Sequence, residues 1–391
     1  MDCFFAACHQ QGNPFLRNKP IAVIGNFRGG LARRAVIAAA SKEAKKFGVT
    51  NGMPPFKAKE LCPGIIFVAA ESARYEYISQ EVFRIMAQYS DNLKIFSIDE
   101  AAIHINNESD NDDGNDIYNK AKKAALNIKE KIKDKLGEYL TCSIGISYNY
   151  ILAKLASDLS KPNGLKIITK AEAPEILKTL AIDKIAGIGE KTKEKLFFSG
   201  IKNFSALQKA SESFLKSRLG IFGVNLKKIS LGEDHPYYQC QSKIKSIGHS
   251  ETFFKDTLDK KTLDQYLLKL SEKVSFRLRR KNLEGSVICL TVRFNNFLSL
   301  TRQQKLNFFT FDGYEIFKEA LKILYNFNLY LPVRLLGLSV FNLRSAVQAS
   351  LFQKNERRKI FLKSIDKIKT RYGFQKIFPL AAKNIALKSD K

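Results

Sequence analysis

Apolar side chains recur along this chain at two spacings, and the switches between them mark out its segments. Ile78, Val82 and Ile85 share one stripe of Tyr75 to Tyr89, which predicts an amphipathic helix. In Ser286 to Phe294 the period is two: Ile288, Leu290, Val292 and Phe294 alternate with Val287, Cys289, Thr291 and Arg293. That pattern predicts a strand with one core face and one face open to a partner. Near the start, Asn13-Pro14 and Lys19-Pro20 punctuate a turn before a short buried strand, Ile21 to Gly25. A basic, glycine-bearing loop, Arg28 to Arg34, leads on to a short helix, Lys42 to Phe47, closed by Gly48. A basic amphipathic helix, Ile117 to Leu136, a strand, Leu140 to Ser147, and a helix stopped by Pro162 and Gly164 follow, and they point to an α+β sheet. Ile167 to Asp234 reads as helical, with Gly187-Ile188-Gly189 turning between two short helices. After a basic linker, Gln239 to Lys245, the order is strand, long helix (Leu258 to Lys281), two strands, helix (Gly313 to Asn326), strand; a basic helix, Glu356 to Tyr372, lies near the end.

One stretch breaks its own pattern. Phe96-Ser97-Ile98-Asp99-Glu100-Ala101 sets two adjacent acids in an apolar run, between Lys94-Ile95-Phe96 and Ala101 to Ile105, which read as the arms of a hairpin. Neighbouring strand residues face opposite ways, so the two carboxylates meet only where the backbone bends. They are either solvated acids at a turn or a pair that holds divalent cations. The acidic segment Asn106 to Asp116 lacks the glycine and terminal glutamate of a calcium loop and is expected to be solvated.

Charge narrows the partner. Lys and Arg number 65 against 38 Asp and Glu, a formal +27, with a pI near 9.7. Such an excess suits a polyanion. No run of about 18 apolar residues and no basic-then-apolar leader is present, so neither a spanning helix nor a signal peptide is expected. The six cysteines are scattered without a Cys-x-x-Cys, as in a reduced, cytoplasmic protein. The basic cluster Arg33, Arg34, Lys42, Lys45 and Lys46 is either a solvated helix face or a grip for a triphosphate, and a second pair, Lys154 and Lys161, lies nearly on one helix face. Gly187 and Gly189 make either a tight helix–helix turn with no ligand or one whose free backbone N–H groups, beside Lys191, Lys193 and Lys195, grip a phosphate. Arg293, Thr301, Arg302 and Arg334 either line a sheet surface that follows a nucleic-acid backbone or are, each by itself, ordinary surface residues.

Met-Asp-Cys-Phe-Phe-Ala-Ala at 1–7, Lys45 to Val49, Ser97 to Ala101, Ala153 to Asp158, Lys161-Pro162-Asn163-Gly164, Gly187-Ile188-Gly189 and Pro332 to Gly337 occur together in order. With these the chain resembles the Y-family DNA polymerases, in particular the bacterial DNA polymerase IV branch, over essentially its whole length. The resemblance implies an α+β multidomain, right-hand architecture. Its parts would be a palm (1–10 and 69–166), fingers (11–68), a helical thumb with a helix-hairpin-helix (167–238), a linker (239–246), a little finger (247–343) and a tail (344–391). It implies a translesion DNA polymerase, monomeric and cytoplasmic, acting on primer-template DNA and dNTPs with two Mg²⁺ per active site. Asp99 and Glu100 would be the catalytic metal ligands and Phe5 the ring that excludes a 2′-hydroxyl. Phe4, Lys42, Lys45 and Lys161 would bind the nucleotide. Gly187, Gly189, Arg293, Arg302 and Arg334 would bind DNA, and Gln348, Leu351 and Phe352 would dock on a sliding clamp.

Departures accompany the matches. The family's first motif reads Asp-Met-Asp, its first Asp being the third metal ligand, whereas this sequence begins at the Met with Asp2 as the second acid. Met1 to Cys8 is also too short and abrupt for a complete strand at the start of a domain, which suggests that something precedes it. Lys42 and Lys45 stand where Tyr and Arg are usual, Ala102 and His104 where Tyr and Asp are, and His9 where Glu is common. A catalytically weak or inactive, clamp-tethered DNA-binding protein is therefore the alternative expectation.

Overall fold

The computed structural model describes residues 1–25, 34–106, 114–184, 187–233, 244–346, 356–377 and 379, which form two compact units, Met1–Gln241 and Ser242–Lys391.

The first unit opens with a helix, α1 (Phe4–Gly12), where the sequence suggested a broken strand. The usual start signals are missing: Cys3 precedes it in the left-handed region (φ 47) and offers no side-chain cap. Around it lie β1 (Ile21–Ile24), β2 (Ile37–Ala40), α2 (Lys42–Lys45), α3 (Pro55–Leu61), β3 (Ile66–Ala69) and α4 (Ser72–Met86). β1 pairs antiparallel with β2 and parallel with β3. α4 buries Ile78, Val82 and Ile85, the stripe read from the sequence, together with Tyr75, against Phe4, Ala7 and Cys8 of α1. Ile128 and Ile132 of α5 (Gly114–Leu136) close the same core.

β4 (Leu93–Ile95) and β5 (Ala101–Ile103) form the expected hairpin. β6 (Ile144–Ser147), shorter than the strand expected from Leu140, pairs in parallel with β7 (Leu165–Ile168) across α6 (Tyr150–Leu159). Gly145 sits where a Cβ would lie 1.9 Å from the Ala153 carbonyl oxygen, so α6 can rest directly on the strand. The helices α7 (Ala173–Thr179), α8 (Glu190–Phe198), α9 (Phe204–Lys209), α10 (Glu212–Leu219) and α11 (Ile221–Ser230) share one core with α6 and β7. The boundary drawn at 166 from the sequence thus runs through a ladder and a core.

The second unit has the element order read from the sequence: β8 (Ser246–Thr257), α12 (Lys260–Arg280), β9 (Leu283–Phe294), β10 (Ser299–Thr310), α13 (Gly313–Tyr325) and β11 (Val333–Ser345). The antiparallel sheet runs β10-β9-β11-β8. Ile288, Leu290, Val292 and Phe294 are buried against α12 and α13, as alternation requires. A last helix, α14 (Glu356–Tyr372), is tied to α12 by the two-pronged Arg279–Asp366 pair at 2.6 and 2.8 Å and by Lys369–Glu272 at 3.1 Å.

Candidate active site

The hairpin brings its two acids to the bend. Phe96 and Ser97 N–H groups both donate to the Glu100 carbonyl, at 2.9 and 3.2 Å, which leaves Ser97-Ile98-Asp99 as the apex. The Ser97 hydroxyl donates to Asp99 Oδ1 at 2.7 Å, and Lys154 Nζ on α6 donates to Glu100 Oε1 at 2.5 Å. Phe96 meets the Tyr150 ring edge-on at 6.1 Å and the Lys94 ammonium sits 4.6 Å over the same ring, so the bend is pinned to the start of α6. Both acids remain half-exposed.

Two hard carboxylates suit Mg²⁺, which is commonly held by one or two carboxylates together with substrate phosphates. A third acid does not join them: among the described residues no group of three or more His, Cys, Asp or Glu is placed to hold a metal. Asp2 has other duties. Its carboxylate accepts from Thr141 Oγ1 (3.1 Å), Ser143 Oγ (2.8 Å) and the Asn163 N–H (2.9 Å). The Met1 nitrogen donates to the Asp99 carbonyl at 2.8 Å, so this extended segment lies directly beside the acidic bend.

α1 carries the two phenylalanines differently. Phe4 is 3% exposed, its ring within the core, so a contact from this residue to a nucleotide falls to its backbone N–H, in an uncapped first turn. Phe5 is half-buried and stacks on Tyr75 at 4.3 Å and 17°. Tyr75 is itself buried, and its hydroxyl meets His9 Nε2 at 2.8 Å. Burial pushes the His9 imidazole below its ordinary value, against the upward pull of Glu71, whose Oε1 lies 3.7 Å from Nδ1. This Glu71–His9–Tyr75 chain behind Phe5 was not visible in the sequence, because His9 on α1 is more than sixty residues from Glu71 and Tyr75 at the start of α4, which gives no contiguous motif.

Lys42 and Lys45 are exposed on α2, which Ser41 caps. Lys42 Nζ is 3.9 Å from Glu43 and 6.0 Å from the Tyr139 ring centre. Arg33 and the start of its loop fall outside the described residues. Lys161 follows α6 and bonds Asp158 at 2.7 Å. Desolvation, the largest influence, works to lower its pKa, but the Asp158 bond and the charges of Asp158, Glu100 and Asp2 together leave it raised. Behind it, Lys129 Nζ donates to the Asn163 and Cys142 carbonyls at 2.8 and 2.7 Å, a contact the sequence hid within a basic helix face.

Further along, Gly187 takes φ 103, the left-handed region that favours glycine, and Gly189 leads into α8. Lys193 Nζ is bonded to Asp183 at 2.8 Å, so of the three lysines expected there Lys191 and Lys195 are the exposed ones. In the second unit the register separates the arginines. Thr301 pairs with Thr291 and Ser299 with Arg293, on the face away from the helices, but Arg302 pairs with Leu290, on the face that packs against them. Arg302 accordingly donates to the Asn326 carbonyl and lies 5.0 Å over Phe327. Arg334, beside a register shift, sits 4.6 Å over Phe297 and 3.9 Å from Asp256. The four residues therefore do not form one surface. Gln348, Leu351 and Phe352 lie outside the described residues.

Residues 1–158 match the impB/mucB/samB family model and residues 244–351 that family's C-terminal domain. DNA polymerase IV of Listeria monocytogenes serovar 1/2a is 34% identical over 345 residues, 88% of this chain and 94% of that protein. DNA polymerase IV of Desulfatibacillum aliphaticivorans is 31% identical over 388 residues, 97% of this chain and 95% of that protein. Among solved structures, a Y-family DNA polymerase chimera of Dbh and Dpo4 superposes with a TM-score of 0.77 at 28% identity, covering 87% of this chain and 96% of that one. An insertion ternary complex of Dbh DNA polymerase gives 0.60 at 26% identity, with the same coverage of 87% and 96%. Sequence identity sustained over both units, with the same architecture beneath it, means that the chain belongs to the impB/mucB/samB family of Y-family DNA polymerases.

Proposed function

We propose that this translesion DNA polymerase adds dNTPs to a primer 3′ end, with low fidelity and under template direction, by phosphoryl transfer at the Asp99–Glu100 bend. The observation that carries the reading is that bend itself: two adjacent half-exposed carboxylates, one braced by Ser97 and the other by Lys154. When bound, two Mg²⁺ ions held by Asp99 and Glu100 would offset the charge of the triphosphate and activate the 3′-oxygen. Lys154 compensates Glu100 meanwhile, so the bend does not hold two uncompensated acids. Lys161, Lys42 and Lys45 supply positive charge for the triphosphate, and the first-turn N–H groups of α1 point the same way in charge. Phe5, backed by Tyr75, limits the space beside the sugar.

In this reading 1–10 and 69–166 serve as palm, 11–68 as fingers, 167–238 as thumb and 247–343 as little finger, joined by 239–246. Gly187, Gly189 and Arg293 contact duplex DNA, and Gln348, Leu351 and Phe352 in the 344–391 tail dock on a sliding clamp. The protein acts as a monomer in the cytoplasm. The absence of a third acid beside Asp99 and Glu100 among the described residues favours a second reading, a weakly active or inactive DNA-binding protein tethered to the clamp. Asp99→Asn and Glu100→Gln, assayed for Mg²⁺-dependent primer extension and for primer-template binding, test the first reading. Extension should fall by about a hundredfold or more with binding retained; extension unaffected by either change would remove the bend from the chemistry.

A further inference from the structure

We infer that Lys129 and Asp2 are positioning residues that hold the Lys161–Gly164 turn in the shape from which Lys161 reaches an incoming triphosphate. The inference rests on the proposed role of Lys161 and extends it to two residues outside the set proposed to hold nucleotide and metal.

Lys161 is a long side chain set on a turn, so what it can reach depends on where the turn's backbone is fixed. That backbone is unusual. Asn163 adopts φ 52, in the left-handed region that asparagine tolerates better than most residues. Gly164 lies so close to the end of α6 that a Cβ would stand 1.9 Å from the Ser160 carbonyl oxygen. A shape of this kind persists only when its surroundings over-determine it.

Lys129 and Asp2 do so from opposite sides of one residue. Lys129 Nζ donates to the Asn163 carbonyl at 2.8 Å, to Asn163 Oδ1 at 2.7 Å and to the Cys142 carbonyl at 2.7 Å, with the Gly164 carbonyl at 3.4 Å. An ammonium has three protons, and three short contacts use them all; the fourth, longer one shares. Asp2 takes the remaining backbone group, the Asn163 N–H at 2.9 Å, while Thr141 and Ser143 hold its carboxylate. Every polar group of Asn163 that these two charges can reach, N–H, C=O and side-chain oxygen, is therefore engaged. Bonds to charged partners are the stronger kind. The same segment meets the acidic bend, through the Met1 nitrogen and the Asp99 carbonyl, so the turn and the bend share one brace.

The test measures dNTP affinity in a ternary complex of the full chain with a dideoxy-terminated primer-template and Mg²⁺, which needs no turnover. Lys129→Met should weaken dNTP binding about tenfold, the loss of charge-assisted bonds, while primer-template affinity stays within about twofold. Asp2→Asn should move dNTP affinity in the same direction. Lys161→Ala should weaken it as well, and Lys129→Met added to Lys161→Ala should then cost less than about twofold, since the lysine it positions is gone. A purely structural role would instead lower dNTP and DNA affinity together and act equally in both backgrounds. Should Lys129→Met unfold the chain, Asn163→Gly keeps φ 52 accessible, deletes only the Oδ1 contact and should weaken dNTP binding about threefold. Unchanged dNTP affinity in Lys129→Met or Asn163→Gly, beside a weakened Lys161→Ala, overturns the inference and leaves Lys161 its role. Unchanged affinity in Lys161→Ala overturns both.

Discussion

Replacing Phe5 by alanine should open the nucleotide site to a 2′-hydroxyl, and the size of the effect follows from what stands behind the ring. Phe5 lies 4.3 Å from Tyr75 at an interplanar angle of 17°, and Tyr75 is 2% exposed with its hydroxyl bonded to His9 at 2.8 Å. The ring therefore has no empty volume to retreat into. Forcing extra atoms against a fixed, packed group costs about 1–3 kcal/mol, which is a factor of roughly 5 to 150 in relative rate. Phe5→Ala should lower the deoxyribonucleotide over ribonucleotide ratio of kcat/KM by about that factor. Tyr75→Phe, which keeps the stack and loses the bond to His9, should lower it by no more than about fivefold, the value of one hydrogen bond of about 1 kcal/mol. The assay is single-nucleotide insertion with matched dNTP and rNTP on one primer-template, in a form with measurable extension. A ratio unchanged in Phe5→Ala would refute the argument, because the ring would then not be what the hydroxyl meets.

The remaining expectations concern other surfaces. Arg293→Ala with Lys305→Ala, two exposed side chains on the sheet face away from the helices, should reduce the slope of log K for primer-template against log salt by about 0.9 for each phosphate that is no longer neutralised; Arg302→Ala, on the opposite face, should leave it unchanged. Replacing Leu351 and Phe352 by alanine should abolish stimulation by a sliding clamp while clamp-free extension persists, and equal loss of both would assign the peptide a structural role. Burial, reinforced by Lys273 and Arg277, holds the His249 imidazole near 4 against an ordinary 6.5. Between those values the unfolded chain binds the extra proton, so stability should fall as pH drops from about 6.5 towards 4. His249→Gln should flatten that part of a melting-temperature profile, and an unchanged slope would show that other groups set it.

How far the sequence led depended on whether a pattern was local. The second unit was legible element by element, since strict alternation in β9 and long helical stripes leave one arrangement of faces. The acidic bend was legible because a strand cannot turn two adjacent acids to the same side, so an apolar run that carries them must bend there. Arg302 was misplaced although its parity was visible: Leu300 and Leu306 share its side of β10, which is the helix-facing side. The helix α1 was missed, because Phe4, Ala7 and Cys8 form a core stripe of mostly small residues and the helix has no cap to announce it. Lys129 could not have been assigned. Its partners lie 13 to 35 residues away and three of its four contacts are to backbone carbonyls, which sequence does not distinguish. Its nearness to Ile128, a core residue, was the one available hint that it stands at the edge of the buried face.

The central claim is that the Asp99–Glu100 bend holds the catalytic metals, so that a further carboxylate placed beside it would raise activity. The Met1 nitrogen stands 2.8 Å from the Asp99 carbonyl, so a residue joined to it would lie beside the bend, and Asp2 is already committed to Thr141, Ser143 and Asn163. The most direct measurement is Mg²⁺-dependent primer extension by the chain of 391 residues, side by side with a form extended by a short apolar strand that ends in Asp immediately before Met1. The account predicts equal primer-template binding and extension about a hundredfold or more faster in the longer form. Comparable rates in the two, or no templated extension by either, would contradict it.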